Sequence, residues 1–492
     1  MKTLPKTLIF IFCLGSFAAW SQKSATLNGT PIQLFEKAQG VWDIKSQSST
    51  LEPEFLNLNP EAFQQMISDQ SESLQIKLPI NGRVETLTLK QNFPIEEGAK
   101  LVTATGESYP IPGIFYTGKI LGEKDSRVSV AIFDNVFQAL ISRSQELLSI
   151  SPVDKSTYAI VHEEKAENPL EEFCHSNTSN LAPIKLNQQA ENFKNSDNCV
   201  NVYFELRNQV VQNKGGVEEA SNYLTAVFNE VSALFNQENI KVKISEIFVW
   251  NIPDPYLGVS STTNLNQFQV LRPTFNGDVA HLVDFTTSNG GIAYVDVLCG
   301  SLPYAYSGAQ PSYEFFPTYS WTVEVITHEI GHNLGSPHTH DCSWPGGAID
   351  NCVPPSGNCD AGETPVNGGT IMSYCHLTNF GINFNQGFGP LPGDLIRDRV
   401  YNASCLSSCD IGCPIPQNLR STGIQSNGFS FSWNKVAVAS TYTIRYKEFG
   451  ANEWIQVTTP STNASLNNLK NQQRYVVQVA SVCDGVLGLW SN

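Results

Sequence analysis

Residues 327–338 read Thr-His-Glu-Ile-Gly-His-Asn-Leu-Gly-Ser-Pro-His, and this run constrains the chain more than any other. His328 and His332 are four apart, so on a helix their imidazoles project from one face and reach one ion. Gly335 tolerates the positive φ that lets a backbone leave a helix sharply, which brings His338 round as a third ligand. Glu329 lies beside the same face. Three protein ligands with a fourth position open is the arrangement of a reactive zinc, whereas a closed structural site takes four ligands, usually with thiolates. Only eight of the 492 residues are histidine. At that composition, chance supplies the three histidines, Glu329 and Gly331 at these spacings about 10⁻⁵ times per chain.

Around this segment there is too much chain for a single core. The start, Met1-Lys2-Thr3-Leu4-Pro5-Lys6, is followed by an apolar stretch over 8–19 and by Ala19-Trp20-Ser21. That pattern predicts a secretory signal peptide over residues 1–21, cut after Ser21. The stretch is short of the ~20 residues a bilayer-spanning helix needs. Phe12, before Cys13, occupies a place where a lipoprotein signal wants a small residue. A net charge of −16 and a pI near 5.0 exclude a basic surface for nucleic acid or anionic lipid. A soluble, secreted, extracytoplasmic protein with no membrane partner is expected. Ten of the twelve cysteines lie from Cys199 onward and no CxxC pair occurs. In an exported chain that reads as five disulfides rather than a thiolate metal site.

Three regions follow. Residues 22–190 hold one cysteine and alternate apolar positions, as at Val128, Val130 and Ile132, then Phe137, Ala139 and Ile141, which predicts a β-rich domain. Residues 163–198 are polar and aperiodic, the composition of an exposed connector. From Cys199 the pattern becomes strand over 200–206, helix over 217–235 and strand over 240–250, which predicts an α/β sheet domain to about residue 409. Residues 414–492 alternate cleanly at Phe431 and Trp433, at Tyr442, Ile444 and Tyr446, and at Tyr475, Val477 and Val479. This last unit resembles a fibronectin type III module, an all-β sandwich, with Trp433 in the place of its early-strand core Trp and Tyr475 in that of its late-strand Tyr. The chain stops about where such a module would begin its last strand, as in a truncated module.

Gly368-Gly369-Thr370-Ile371-Met372-Ser373-Tyr374 places one of only three methionines in a turn after the histidines. The long zinc motif with a following Met-turn resembles the metzincin endopeptidases, nearest the reprolysin or adamalysin branch including secreted bacterial members, over residues 199–409. The resemblance implies an α/β catalytic domain with a twisted mixed sheet and a zinc-binding active-site helix. It makes His328, His332 and His338 the ligands of one catalytic zinc, Glu329 the general base and Met372 a hydrophobic floor. Gly291, Ile292, Ala293 and Tyr294 resemble the edge strand that pairs with substrate. Glu205 and Asp278 resemble calcium-site positions, although Ser408 stands where a companion Asn is expected. Thr339 and His340 precede Asp341, where adamalysins carry Asp directly after the third histidine; His340 is an alternative third ligand, with His338 favoured by the spacing. Tyr374 matches a tyrosine that in astacins and serralysins binds the metal or the transition-state oxyanion.

Phe115-Tyr116-Thr117-Gly118, Asp125-Ser126-Arg127 and Ser149-Ile150-Ser151-Pro152 resemble the reprolysin propeptide. This implies that residues 22–190 are an inhibitory propeptide, with Cys174 a thiolate that closes the open zinc position in the latent form. Cys299 with Cys405 resembles a bridge of the family, and Cys413 with Cys483 would staple the third domain. Cys342, Cys352, Cys359 and Cys375 allow three pairings. Together these readings predict a multidomain, monomeric, secreted zinc endopeptidase made as a zymogen, acting on protein or peptide substrates. The rivals are an adhesin or matrix-binding protein with a structural zinc, and a zinc amidase or esterase on the same scaffold.

Overall fold

The computed structural model describes residues 30–38, 53–133, 136–143, 146–163, 183–185, 198–258, 260–285, 290–309, 320–408, 413, 415–416, 419–436, 439–451, 453–483, 485–488 and 490–491. The signal segment 1–21, Cys174 and Cys409 lie outside them. No described helix is long and apolar enough to cross a membrane.

The amino-terminal unit is the β-rich body that the alternation predicts. Its strands are β1 (Ile32–Gln33), β2 (Phe35–Lys37), β3 (Glu54–Leu58), β4 (Ser73–Ile80) and β5 (Arg83–Asn92). After an excursion through β6 (Ile95–Thr103) and β7 (Ser108–Pro110) come β8 (Ile114–Ile120), β9 (Ser126–Phe133), β10 (Val136–Arg143), β11 (Glu146–Pro152) and β12 (Thr157–Glu163). All but β6 and β7 form one ten-stranded sheet, ordered β1-β4-β5-β8-β9-β10-β11-β12-β3-β2. Val130, Phe137, Ile141 and Ile150 are fully buried in its core together with Phe63 of helix α1 (Pro60–Asp69). That helix starts where Asn59 accepts the amide of Ala62 and Pro60 presets φ.

The central unit is a layered α/β domain. Strands β13 (Asn198–Leu206), β14 (Lys241–Val249), β15 (Val279–Asp284) and β17 (Tyr304–Gly308) run parallel, and β16 (Gly291–Ala293) pairs antiparallel with β17 at one end. The short β18 (Ser407–Ser408) adds antiparallel to the start of β13. The helices are α2 (Asn208–Lys214), α3 (Val217–Gln237), α4 (Ser261–Leu271), α5 (Ser320–Asn333) and α6 (Pro390–Asn402). In α3 the positions Leu224, Val227, Phe228, Val231, Leu234 and Phe235 recur at helical spacing and bury against Val202, Phe204, Val242 and Ile244 of the sheet.

A purely local reading assigns all of residues 22–190 to the amino-terminal domain. The structure departs from it at one point: β6 pairs in parallel with β14, so that the sheet runs β16-β17-β15-β13-β14-β6-β7. Alternation marks a strand but not its neighbour, which is why the sequence did not reveal this exchange.

The carboxy-terminal module packs a three-stranded sheet, β19 (Arg420–Gln425), β20 (Gly428–Ser432) and β23 (Asn463–Leu466), on a four-stranded one. The second sheet is ordered β22 (Ile455–Thr459), β21 (Thr441–Glu448), β24 (Tyr475–Cys483), β25 (Val486–Leu487). Trp433 is buried among Phe431, Tyr442, Ile444 and Val479. The hydroxyl of Tyr475 accepts the amide of Lys470, and Cys413–Cys483 closes the module.

Candidate metal centre

Helix α5 carries Glu324, His328, Glu329 and His332 through a wholly buried stretch of the central unit. It stops as expected at Gly335, whose φ of +112° is a conformation that only glycine adopts cheaply. The amides of Gly335 and Ser336 then bond back to the carbonyls of His332 and Gly331. The reversed chain delivers His338, whose carbonyl accepts the indole N–H of Trp344 at 2.7 Å.

Each ring on the helix is held through its far nitrogen. His328 Nδ1 lies 2.7 Å from the carbonyl oxygen of Ile371, and His332 Nδ1 lies 2.6 Å from that of Ser336. Those contacts fix Nδ1–H as donor, so Nε2 keeps the lone pair that a metal needs. The Nε2 atoms of His332 and His338 stand 3.1 Å apart, and the candidate ligand atoms of all three residues lie within 4.8 Å of one another. Burial, and then the neighbouring imidazoles, push the pKa values of His328 and His338 well below the usual range. Burial pushes that of His332 down to about 4. Three buried, neutral imidazoles converging on one point fit a zinc ion.

Met372 is fully buried against helix α5, and a Cβ at Gly331 would stand 2.7 Å from its Sδ, so the glycine makes room for it. Tyr374 packs its ring on His338 at 4.6 Å and on His340 at 4.8 Å. His340 stacks flat against His338, 5.0 Å away at 10°, and is not in the converging group. Glu329 points to the end of the sheet. A Cβ added to Gly291 on β16 would meet its Oε1 at 2.0 Å, so the bare glycine backbone lies directly on the carboxylate. Beyond Ala293, the backbone of Tyr294 is anchored by Asn333 of α5, whose side-chain N–H₂ donates to its carbonyl at 2.9 Å.

The calcium expectation meets a different arrangement. The buried Glu205 accepts from Tyr203, Trp250, Tyr256 and the Arg272 guanidinium at 2.6–3.1 Å. Asp278 accepts the backbone amide of Asn201. The cation bonded to Glu205 is thus the Arg272 guanidinium. Of the bridges, Cys299–Cys405 and Cys413–Cys483 are present, and the open question among four cysteines resolves as Cys342–Cys359 and Cys352–Cys375. One pair escaped the sequence reading: Glu324, a turn before His328, has Oε1 3.3 Å from His376 Nδ1, beside the centre. Its i−4 spacing from His328 was the available signal.

Comparison with known proteins follows the same division. Residues 162–382 match the family described as "Metallo-peptidase family M12" of reprolysin type, and residues 414–492 match the fibronectin type III domain. The chain carries a reprolysin-type M12 metallopeptidase domain and a fibronectin type III domain. It is similar to the snake venom metalloproteinase trimerelysin-2 of Protobothrops flavoviridis, 30% identical over 120 residues. That alignment covers 22% of this chain and 57% of the relative, so the chain spans little more than half the length of the venom protein. The relative is from a snake, and a bacterial affiliation gains no support from it. Among solved structures, a chain described as a myokine structure is 16% identical with a TM-score of 0.15, over 16% of this chain and 88% of that one. The FN5 domain of Drosophila Lar is 24% identical with a TM-score of 0.14, over 15% of this chain and 85% of that one.

Proposed function

We propose that the chain is a secreted, zinc-dependent endopeptidase made in latent form. One observation carries the reading: the buried Glu329 carboxylate stands beside the three converging imidazoles and directly against the backbone of the sheet's end strand. A structural zinc has no use for that carboxylate, and this is the argument against an adhesin with a structural metal. Zinc, when bound by His328, His332 and His338, supplies a Lewis acid that polarises a carbonyl and acidifies a water. Glu329, beside those imidazoles, would accept a proton from the attacking water and deliver it to the leaving amine. The backbone of Gly291, Ile292, Ala293 and Tyr294 pairs with an extended substrate, which accounts for a preference for peptides over small esters or amides. Met372 supports the rings from below. Tyr374, packed on His338, is placed to assist at the oxyanion.

In this reading residues 1–21 direct secretion, 22–190 maintain latency with Cys174 as zinc-blocking thiolate, 199–409 cut peptide bonds and 414–492 form an accessory module. The protein acts as a monomer. The similarity to a venom metalloproteinase and the disulfides support an extracellular setting. The decisive test is Glu329→Ala. The variant is expected to keep one zinc per chain by elemental analysis and to lose casein hydrolysis by roughly 10²–10⁴-fold, the usual contribution of a general base. Hydrolysis at the wild-type rate would remove Glu329 from the mechanism.

A further inference from the structure

The amino-terminal unit contributes a strand to a sheet that is not its own. Strands β5 and β8 are neighbours in the ten-stranded sheet, yet the chain between them leaves it and lays β6 along β14, with Leu101 opposite Ile247 and Thr103 opposite Val249. Leu101 is buried within the hydrophobic core of the central unit. Backbone bonds run beyond the register on both sides, from Ile244 N–H to the Pro94 carbonyl and from Ala104 N–H to the Val249 carbonyl. Behind this arm, β8 and β9 press on the outer face of α3. Asn229, fully buried, donates to Ser129 Oγ and to the carbonyls of Val130 and Tyr116, and accepts from Asn92. Asn92 also donates to Ser232. Arg127 pairs with Glu230 at 3.0 Å, with side-chain exposures of 13% and 3%.

The contact combines an apolar anchor, Leu101 and Leu140 entering the core of the central unit, with a bonded polar surface. The α3 face it covers is polar where it is bonded (Asn229, Glu230, Ser232), and beside those residues Ala226 packs with Phe115, Ala131 and Phe133. The docked strand sits at β14, with β13, β15 and β17 between it and β16, so docking leaves the Glu329 end of the sheet uncovered.

We infer that the amino-terminal unit is a strand-donating subunit, which stays bound through β6 and the α3 face once the chain is cut and completes the sheet of the metallopeptidase domain. The unit fits this surface because β6 runs parallel to Ile244–Val249 and Arg127 brings a cation to Glu230.

The experiment introduces a recognition sequence for a site-specific protease within residues 164–170 of the full chain, cuts it, and follows the fragments by native size-exclusion chromatography. No cysteine of the described amino-terminal unit can link the two covalently. Wild-type fragments are expected to co-elute at the mass of the uncut chain; separate elution of the cut wild type overturns the proposal. Arg127→Glu, which sets two carboxylates face to face, is expected to weaken association at least tenfold, and Arg127→Glu with Glu230→Arg to restore it. Leu101→Asp should release the arm; should that variant not fold, the charge swap carries the test alone. Co-elution unchanged by Arg127→Glu also overturns the assignment of the surface. Because the readout is mass and not hydrolysis, an inactive protein would refute the peptidase reading while leaving this one intact.

Discussion

The central sheet ends in two contrasting ways. At one side β16 is three residues long, begins with a bare glycine, and has no strand on its outer edge among the described residues. At the other, nine-residue β14 is covered from Ile244 to Val249 by a strand from a distant part of the chain. An uncovered strand edge is a template for unwanted pairing, and long apolar edges are the most hazardous. The comparison teaches that the edge left open is the short one, beside Glu329, while the longer edge is closed by the protein itself.

Each side of this contrast can be broken separately. The largest effect is expected from Gly291→Ala, since the new methyl group would lie 2.0 Å from Glu329 Oε1. Displacing the base should cost roughly 10²–10⁴-fold in kcat with zinc content and KM near wild type, and an unaltered kcat would show that the carboxylate does not work from that position. On the covered side, Leu101→Ala removes a side chain buried in the domain core. Denaturant unfolding should show a loss of about 2–5 kcal/mol with kcat spared.

Acid probes the metal side. The folded pKa of His332 is about 4 against an ordinary 6.5, so below pH 6.5 the unfolded chain binds a proton that the folded chain refuses. Stability of the metal-free protein should therefore fall between pH 6.5 and pH 4, by roughly 3 kcal/mol from this residue. It should be flat above that window, and a pH titration of the unfolding midpoint checks the sign. The smallest effect is expected for Lys243→Ala. Its ion pair with Glu96 spans 3.3 Å with exposures of 10% and 35%, and about 1 kcal/mol or less should be lost.

How much of this was legible in the sequence depended on how local the information is. The i, i+4 histidines, the adjacent glutamate and the glycine stop encode a helix end completely, so the converging histidine group could be drawn from twelve residues. The strand-helix-strand order and the buried Trp433 were equally readable, because periodicity reports burial. Facts that join distant residues were not. Nothing in the neighbourhood of Gly291 announces that its missing Cβ accommodates Glu329, and nothing near Glu205 announces that Arg272 will occupy it. The pairing of Cys342, Cys352, Cys359 and Cys375 likewise depends on a path that only the folded loop defines.

The borrowed strand has a consequence for the order in which the molecule is made. Ribosomal synthesis delivers β6 about 150 residues before β14, an interval of roughly 10–30 s at the usual elongation rate. During that time the amino-terminal sheet can close around its own core while the Leu101 arm projects with no acceptor. The nascent polypeptide thus carries a waiting hook, and the central unit, as it emerges, finds the first template for its long edge already built.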